Sequence, residues 1–148
     1  MSELSSALAR EVRSGRPVLA LTSGDSMRPL LDTGRTQVLV VRAEGDLKEN
    51  DLPLYRRPTG QFVMHRIIRV DKEFYYTRGD NRCGLERVPK DWVLGVVTEI
   101  TRNGKTFPVS NRWYRRYVAA WNLIYPLRWA AYKLRGAVRP PRQRRKEP

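Results

Sequence analysis

The spacing of hydrophobic residues changes twice along the chain, and each change marks the start of a different predicted structure. Near the beginning, hydrophobic residues recur at helical intervals, at Leu4, Leu8 and Val12. This spacing predicts a short amphipathic helix over residues 2–14, which ends at Gly15. After Pro17 the helical spacing gives way to short β-type runs, and from Asn111 the helical spacing returns. The chain is therefore expected to be β-rich between two helical ends.

The middle of the chain consists of short runs rich in β-branched and aromatic residues, which predict five strands. These strands cover residues 18–22, 37–42, 62–70, 74–78 and 92–101. Turn-forming residues separate them, and Asn103-Gly104 has the composition of a two-residue hairpin turn. We expect a mainly β domain over residues 21–110, preceded by a short helical N-terminus over residues 1–20.

The end of the chain combines aromatic and cationic residues at helical spacing. The rings of Trp113, Tyr117 and Trp121 fall on one face, and arginines fall on another. Pro126 is expected to divide this segment, and a second helical piece over residues 127–134 is expected to stop near Gly136. We predict an aromatic and basic helical segment over residues 111–137 and a disordered basic tail over residues 138–148.

The charge of the chain narrows the choice of partners. The 148 residues include 29 Lys and Arg against 15 Asp and Glu, which gives a net charge of +14. Such an excess favours anionic partners and does not define a fold. Residues 111–146 have the composition of a segment that contacts an anionic membrane surface, and they are equally suited to packing as a helix on the β domain. Nucleic acid is a weaker expectation, because the β-type runs contain no row of aromatic residues on which bases would stack.

The cysteine content and the hydropathy of the chain indicate where it acts. The single cysteine, Cys83, excludes an internal disulfide and does not form a zinc site alone, so we expect neither a metal nor another cofactor. The N-terminal residues are too polar for a signal peptide. No run of about 18 apolar residues predicts a spanning helix. We expect a cytoplasmic protein, or one that lies peripherally on a membrane; the sequence leaves the oligomeric state open.

A serine and a histidine carry the candidate chemistry. Ser26 lies in the run Ser23-Gly24-Asp25-Ser26-Met27-Arg28-Pro29, and His65 is the only histidine of the chain. A hydroxyl becomes a good nucleophile when a neighbouring base removes its proton, and a neutral imidazole suits that role near pH 7. Apolar neighbours are expected to keep His65 neutral by desolvation. The pair predicts acyl chemistry with Ser26 as nucleophile and His65 as general base.

Acyl transfer also needs a group that orients the base and donors that bind the oxyanion. Asp80, in Gly79-Asp80-Asn81, begins the loop after the strand over residues 74–78, and Glu86 closes that loop, so either carboxylate is a candidate to orient the base. The Ser26 backbone N–H is the expected oxyanion donor. Supporting roles are expected for Ser23 as a hydroxyl donor, for Gly24 in the bend and for Asn81 in the loop. Cys83, in the same loop, is an alternative nucleophile.

Four motifs in order along the chain resemble the type I signal peptidase family, and most closely its branch with a serine–histidine site. They are Ser26-Met27-Arg28-Pro29, Asn50-Asp51, His65-Arg66-Ile67-Ile68 and Gly79-Asp80-Asn81. The resemblance covers about residues 21–100. It implies a signal-peptidase-like β fold and a peptide or preprotein substrate that is cleaved through an acyl-enzyme on Ser26. It also implies that Asp80 is the acid of its motif, whereas Glu86 stands where this branch often has an aspartate.

The related self-cleaving repressors of the LexA type share the pattern of residues 24–27 but use a lysine base. No lysine lies between Lys48 and Lys72, so the serine–histidine branch is favoured. Signal peptidases usually carry a spanning helix before the serine, and this chain has none there. Two other functions therefore stay open. One is a non-catalytic β-domain adaptor that binds nucleic acid or an anionic membrane through its basic tail, and the other is cleavage of the chain by itself.

Overall fold

The computed structural model describes residues 2–138, and the side chains of residues 7–135. The fold is mainly β, with one helix before the strands and two after them. The helices are α1 (Ser2–Arg13), α2 (Arg112–Leu123) and α3 (Tyr125–Val138). The strands are β1 (Val18–Leu21), β2 (Thr36–Arg42), β3 (Pro53–Arg56), β4 (Phe62–Met64), β5 (Arg66–Val70), β6 (Phe74–Arg78), β7 (Glu86–Pro89), β8 (Val93–Arg102) and β9 (Lys105–Pro108). Except for Val138, the tail expected to be disordered lies outside the described residues.

Two antiparallel sheets form the β domain. The larger is a half-barrel in which the strands follow the order β1-β2-β8-β3-β4, and the smaller has the order β5-β6-β7. Strand β8 is the centre of the larger sheet: it pairs with β2 along most of its length, and its other edge is shared between β3 and β9. As a result β1 and β4 are the free edges at the two ends of this strand order, and β9, which pairs only with β8, is a further edge strand.

The main hydrophobic core lies between the larger sheet, α1 and α2. Val12 of α1 is fully buried against β2 and β8, where Gly95 leaves room for it. Tyr114 and Val118 bring α2 into the same core. The apolar stripe of α1 and the inner face of α2 therefore cover the half-barrel, as amphipathic helices do when they pack on a sheet.

The predicted strand over residues 62–70 is divided in the structure. Strand β4 pairs with β3 in the larger sheet, whereas β5 pairs with β6 in the smaller sheet. His65 lies between the two strands, at the point where the chain passes from one sheet to the other. A continuous apolar run does not reveal a change of pairing partner, so the sequence pattern did not indicate this break.

Two of the four-residue strands and the bounds of the C-terminal helices also differ from what the sequence predicts. Strands β3 and β7 were not predicted, because each is four residues long and contains a proline at one end. The helical end divides at Ile124, and Pro126 lies in the first turn of α3, where its missing N–H is not needed. Helix α3 also passes Gly136 and continues to Val138, because one glycine weakens a helix by only about 1 kcal/mol.

The C-terminal helices are short relative to the thickness of a bilayer. Helix α2 has 12 residues and α3 has 14. A transmembrane helix needs about 20 predominantly apolar residues to cross the hydrocarbon layer. Within the part of the chain that the structure describes, no helix combines the length and the apolar character that crossing a membrane requires.

The close contact between Gly95 and α1 leads to a test of the core. A β-carbon at position 95 would meet the backbone carbonyl oxygen of Val41 most closely, and it would lie 2.8 Å from side-chain carbons of both Val12 and Val40. We expect Gly95→Ala to destabilise the fold by about 1–3 kcal/mol, because both the β2 backbone and α1 must move away from β8. Urea unfolding measures this difference. Gly84→Ala is the matched control, since a β-carbon there meets no atom within 4 Å, and equal stability of the two variants would contradict the packing described.

Candidate active site

The turn that carries Ser26 follows β1 and is held from within the core. Met27, next to the serine, is buried, and its carbonyl accepts a hydrogen bond of 3.0 Å from the Leu31 amide. Gly24 has φ of +84°, a backbone conformation that favours glycine. The backbone N–H of Ser26 donates to no atom among the described residues. The turn therefore presents this N–H while the residue after the serine is fixed by burial.

The loop of the Gly-Asp-Asn motif packs directly behind this turn. The amide of Asn81 donates to the carbonyl of Ser26 at 2.7 Å, and its side chain donates to the Asp25 carbonyl at 3.2 Å. A β-carbon at Gly79 would lie 2.6 Å from the Ser26 carbonyl oxygen. Arg82 forms an ion pair with Asp25 at 2.6 Å. Glycine is thus required at position 79 because the two backbone segments touch.

Asp80 forms a buried ion pair with Arg66. Two hydrogen bonds of 2.8 and 2.7 Å join the guanidinium to the two carboxylate oxygens, and the side chains are 1% and 3% exposed. Burial alone would lower the pKa of Arg66, but its hydrogen bonds to Asp80 raise it instead. Arg66 also donates to the Tyr114 hydroxyl at 2.9 Å. The carboxylate of Asp80 is therefore engaged by Arg66, and within the described residues it makes no contact with the imidazole of His65.

Glu86 is the carboxylate that lies against His65. Its Oε2 is 3.6 Å from the imidazole Nδ1, and the Tyr55 hydroxyl lies 3.3 Å from the same nitrogen. Tyr55 donates to Glu86 Oε2 at 2.7 Å, and Arg57 binds both oxygens of Glu86 from the other side. Because the Tyr55 hydroxyl donates to Glu86, its oxygen is free to accept from an Nδ1–H, and that tautomer leaves Nε2 unprotonated. This arrangement fixes the ring and favours the tautomer that a general base needs.

The charges at this site follow from burial and hydrogen bonding. Burial lowers the pKa of His65, while the charge of Glu86 acts in the opposite direction. For Glu86, burial would raise the pKa, but hydrogen bonds from Arg57 and Tyr55 lower it. Burial raises the pKa of Tyr55 strongly, so this phenol keeps its proton. Near neutral pH the site therefore holds a neutral imidazole beside an ionised carboxylate.

Ser26 and His65 line the same cleft, which has a volume of about 660 Å³. Residues of β1 and β4, the edge strands at the two ends of the strand order, both line the cleft. Ser23 and Gly24 also line it. Among the described residues, the hydroxyl of Ser26 makes no hydrogen bond to the imidazole. Catalytic hydrogen bonds are often long or absent before substrate binds, so the shared cleft is the relevant observation.

The remaining predicted site residue is Cys83. It does not line the cleft, and its carbonyl accepts a hydrogen bond of 2.8 Å from the Tyr125 hydroxyl. The sequence reasoning missed Tyr55, Arg57 and Arg66. The position of Arg66 directly after His65 was a signal that could have pointed to it. Tyr55 gave no such signal, because it lies on β3, a strand that was not predicted.

Helices α2 and α3 hold the outer side of the Gly-Asp-Asn loop. Trp121 Nε1 donates to the carbonyl of Asp80 at 3.0 Å, and Arg128 donates to the same carbonyl. The Arg78 guanidinium lies 3.4 Å from the centre of the Tyr125 ring. The helical end of the chain is thus packed on the β domain through residues that adjoin the candidate site.

Comparison with known proteins adds no relative: no protein-family model matches this chain, and no curated protein matches it. Inferences about its chemistry therefore depend on the motifs and on the geometry of the cleft.

The pKa of His65 can be measured directly, because it is the only histidine. We expect an NMR titration of its ring to give a pKa below the ordinary value of 6.5, because burial disfavours the charged form. Glu86→Gln should lower this pKa further, because the carboxylate charge stabilises the imidazolium. Asp46→Asn, at an exposed carboxylate outside the cleft, should leave it unchanged. A pKa that rises in Glu86→Gln would contradict the assigned contact.

Proposed function

We propose that the protein is a serine endopeptidase, similar to type I signal peptidases of the serine–histidine branch, which cleaves a peptide or preprotein through an acyl-enzyme. One observation carries the proposal: Ser26 and His65 line one cleft, and Nδ1 of the imidazole lies 3.6 Å from Oε2 of Glu86. Nucleophile, base and orienting carboxylate are the groups that acyl transfer requires. The half-barrel with the serine turn at its open side supports the likeness to the signal peptidase and LexA fold.

Substrate binding follows from the two free sheet edges. Strands β1 and β4 flank the cleft, and each has backbone groups that no neighbouring strand occupies. An extended peptide that enters the cleft would form main-chain hydrogen bonds with such an edge. The side chains of Leu31, Val38 and Leu54 supply apolar surface. The resemblance implies small side chains near the scissile bond.

The first chemical step transfers a proton and forms a bond. Nε2 of His65 accepts the proton of the Ser26 hydroxyl as Oγ attacks the scissile carbonyl carbon. The imidazolium that results is stabilised by Glu86, which faces Nδ1 together with the Tyr55 hydroxyl. The Ser26 N–H, with Ser23 as a hydroxyl donor, binds the oxyanion. Removing one such donor typically costs on the order of 100- to 1,000-fold in rate.

The second half of the reaction returns the enzyme to its starting state. His65 gives its proton to the leaving amine as the peptide bond breaks, and the acyl group stays on Ser26. A water molecule then loses a proton to His65 and attacks the ester. The carboxylic acid leaves as Oγ takes the proton back.

Asp80 and Asn81 are positioning residues in this mechanism: they hold the loop and the serine turn in place and do not contact the reacting atoms. The Asn81 amide fixes the carbonyl of Ser26, and the ion pair of Asp80 with Arg66 fixes the loop. The loop therefore determines where the serine hydroxyl lies relative to His65.

Covalent labelling tests the nucleophile. A fluorophosphonate probe should label the wild-type chain at Ser26, and Ser26→Ala should lower the labelling rate by on the order of 1,000-fold or more, because the activated hydroxyl is absent. Mass spectrometry of the labelled peptide measures this. Cys83→Ala is the control and should be labelled at the wild-type rate. A wild-type chain that resists the probe while binding nucleic acid would instead favour the adaptor function.

The role of Glu86 is tested by its amide variant. We expect Glu86→Gln to slow acylation on the order of 100-fold, because the amide does not stabilise the imidazolium. The acid limb of the rate profile, set by the neutral fraction of His65, should also move to lower pH. The probe reaction followed across pH measures both effects. Asp46→Asn serves as control, and an unchanged rate in Glu86→Gln would remove Glu86 from the mechanism.

Gly79→Ala tests how the loop positions the serine. The added β-carbon meets the Ser26 carbonyl, so we expect slower acylation together with moved amide NMR signals around Ser26. Gly84→Ala, in the same loop, should change neither. Slower acylation with unmoved signals would contradict a positioning role.

A further inference from the structure

The outer surface of the two C-terminal helices is not covered by the β domain. Three leucines project from it: two of them, seven residues apart, share one face of α3, and the third is the last residue of α2. They are Leu123, Leu127 and Leu134, which are 81%, 74% and 68% exposed, respectively. We name these three residues the outer stripe. Exposed leucines in a row indicate a surface that binds a partner.

The opposite side of the same helices faces the β domain. Tyr114 and Val118 are buried, and Tyr125 and Arg128 make the contacts with the Gly-Asp-Asn loop. Packing on the domain therefore uses a different face, and the outer stripe is left available.

The surroundings of the outer stripe are cationic. Between Glu99 and Glu147 the sequence contains no acidic residue. Exposed cationic side chains are distributed along both helices, at Arg112, Arg115, Arg116, Lys133 and Arg135. Aromatic side chains lie among them: Arg116 stacks on Trp113, with 5.1 Å to the ring centre, and Lys133 stacks on Trp129 at 4.0 Å. Leucines, indole rings and cations together form the composition of a helix that lies in a membrane interface.

We propose that the outer stripe docks on an anionic membrane surface, with its leucines in the lipid and the flanking cations at the headgroups. Charge complementarity favours this occupant over a second copy of the chain, whose helices would bring the same positive charge. The remaining residues 139–148 contain no hydrophobic side chain other than proline, so the sequence does not favour them as a cover. Nucleic acid would use the cations and leave the leucines without a role.

Docking would also place the cleft near the lipid, an extension that rests on the proposed function. Tyr125 and Arg128 bind carbonyls of the loop that contacts Ser26, and Arg82 of that loop lines the cleft. A helix held at the membrane thus adjoins one wall of the site. A substrate peptide that lies at the membrane surface would be within its reach.

Vesicle co-sedimentation tests the docking separately from catalysis, because it uses the full chain carrying Ser26→Ala. We expect binding to vesicles of phosphatidylcholine with phosphatidylglycerol, weak binding to phosphatidylcholine alone, and a loss of affinity as salt rises. Leu123→Ser, Leu127→Ser and Leu134→Ser combined should weaken binding on the order of 100-fold. Leu19→Ser with Leu85→Ser is the matched control at leucines that are 59% and 57% exposed, and it should bind as before.

Two results would overturn the proposal. One is equal vesicle binding by the triple variant and the control, which would assign the affinity to charge alone. The other is absence of vesicle binding. A dimer in sedimentation velocity that the triple variant abolishes would then assign the outer stripe to a second copy of the chain. Binding to a DNA oligonucleotide that the triple variant leaves intact would instead assign the cations to nucleic acid. Circular dichroism of the variants verifies that each keeps its helices. If the wild-type chain binds vesicles but is not labelled by the fluorophosphonate probe, the protease function is rejected and the docking surface is retained.

Discussion

The ion pair between Arg66 and Asp80 is the interaction on which the candidate site depends. A buried ion pair contributes to stability only when its remaining polar atoms are also bonded, and removing one partner costs about 3–5 kcal/mol. Here Arg66 also reaches the Tyr114 hydroxyl, and the Asp80 carbonyl is bound from α2 and α3. The next amide along the chain holds the carbonyl of Ser26. One charged contact thus connects the smaller sheet, the C-terminal helices and the serine turn.

The two carboxylates near the serine and the histidine differ in their surroundings, and this difference separates their roles. Asp80 is buried and forms an ion pair with the guanidinium of Arg66, and this ion pair holds the Gly-Asp-Asn loop in place. Glu86 lies at the start of β7 and is partly exposed, and Arg57 and Tyr55 keep it ionised beside a buried imidazole. In the proposed mechanism, burial and a specific partner decide which acid orients the base and which acid supports the loop, as is general for pairs of titratable groups.

The sequence predicted the features that depend on neighbouring residues, and it did not predict those that depend on which strands pair. The serine turn and the β-rich middle followed from glycine, proline and β-branched residues, and the structure has a mainly β fold with helices at both ends. The sequence did not indicate that the chain changes sheets at His65, because β4 and β5 form one apolar run. For the same reason it left Asp80 and Glu86 as alternatives: the contacts of Glu86 with His65 and Tyr55 join residues far apart in the chain, which local periodicity does not encode. Tyr55, on the unpredicted β3, completes that group.

The free edges of the half-barrel also determine how long a segment the cleft can read. Strand β1 has four residues and β4 has three. At about 3.3 Å per residue, each edge offers backbone partners over only about 10–13 Å. Edges this short are poor templates for pairing with other copies of the chain, which protects against aggregation. If the proposed protease function holds, the same short length confines recognition to a few consecutive positions of a substrate, and a small motif rather than an extended sequence decides what is cut.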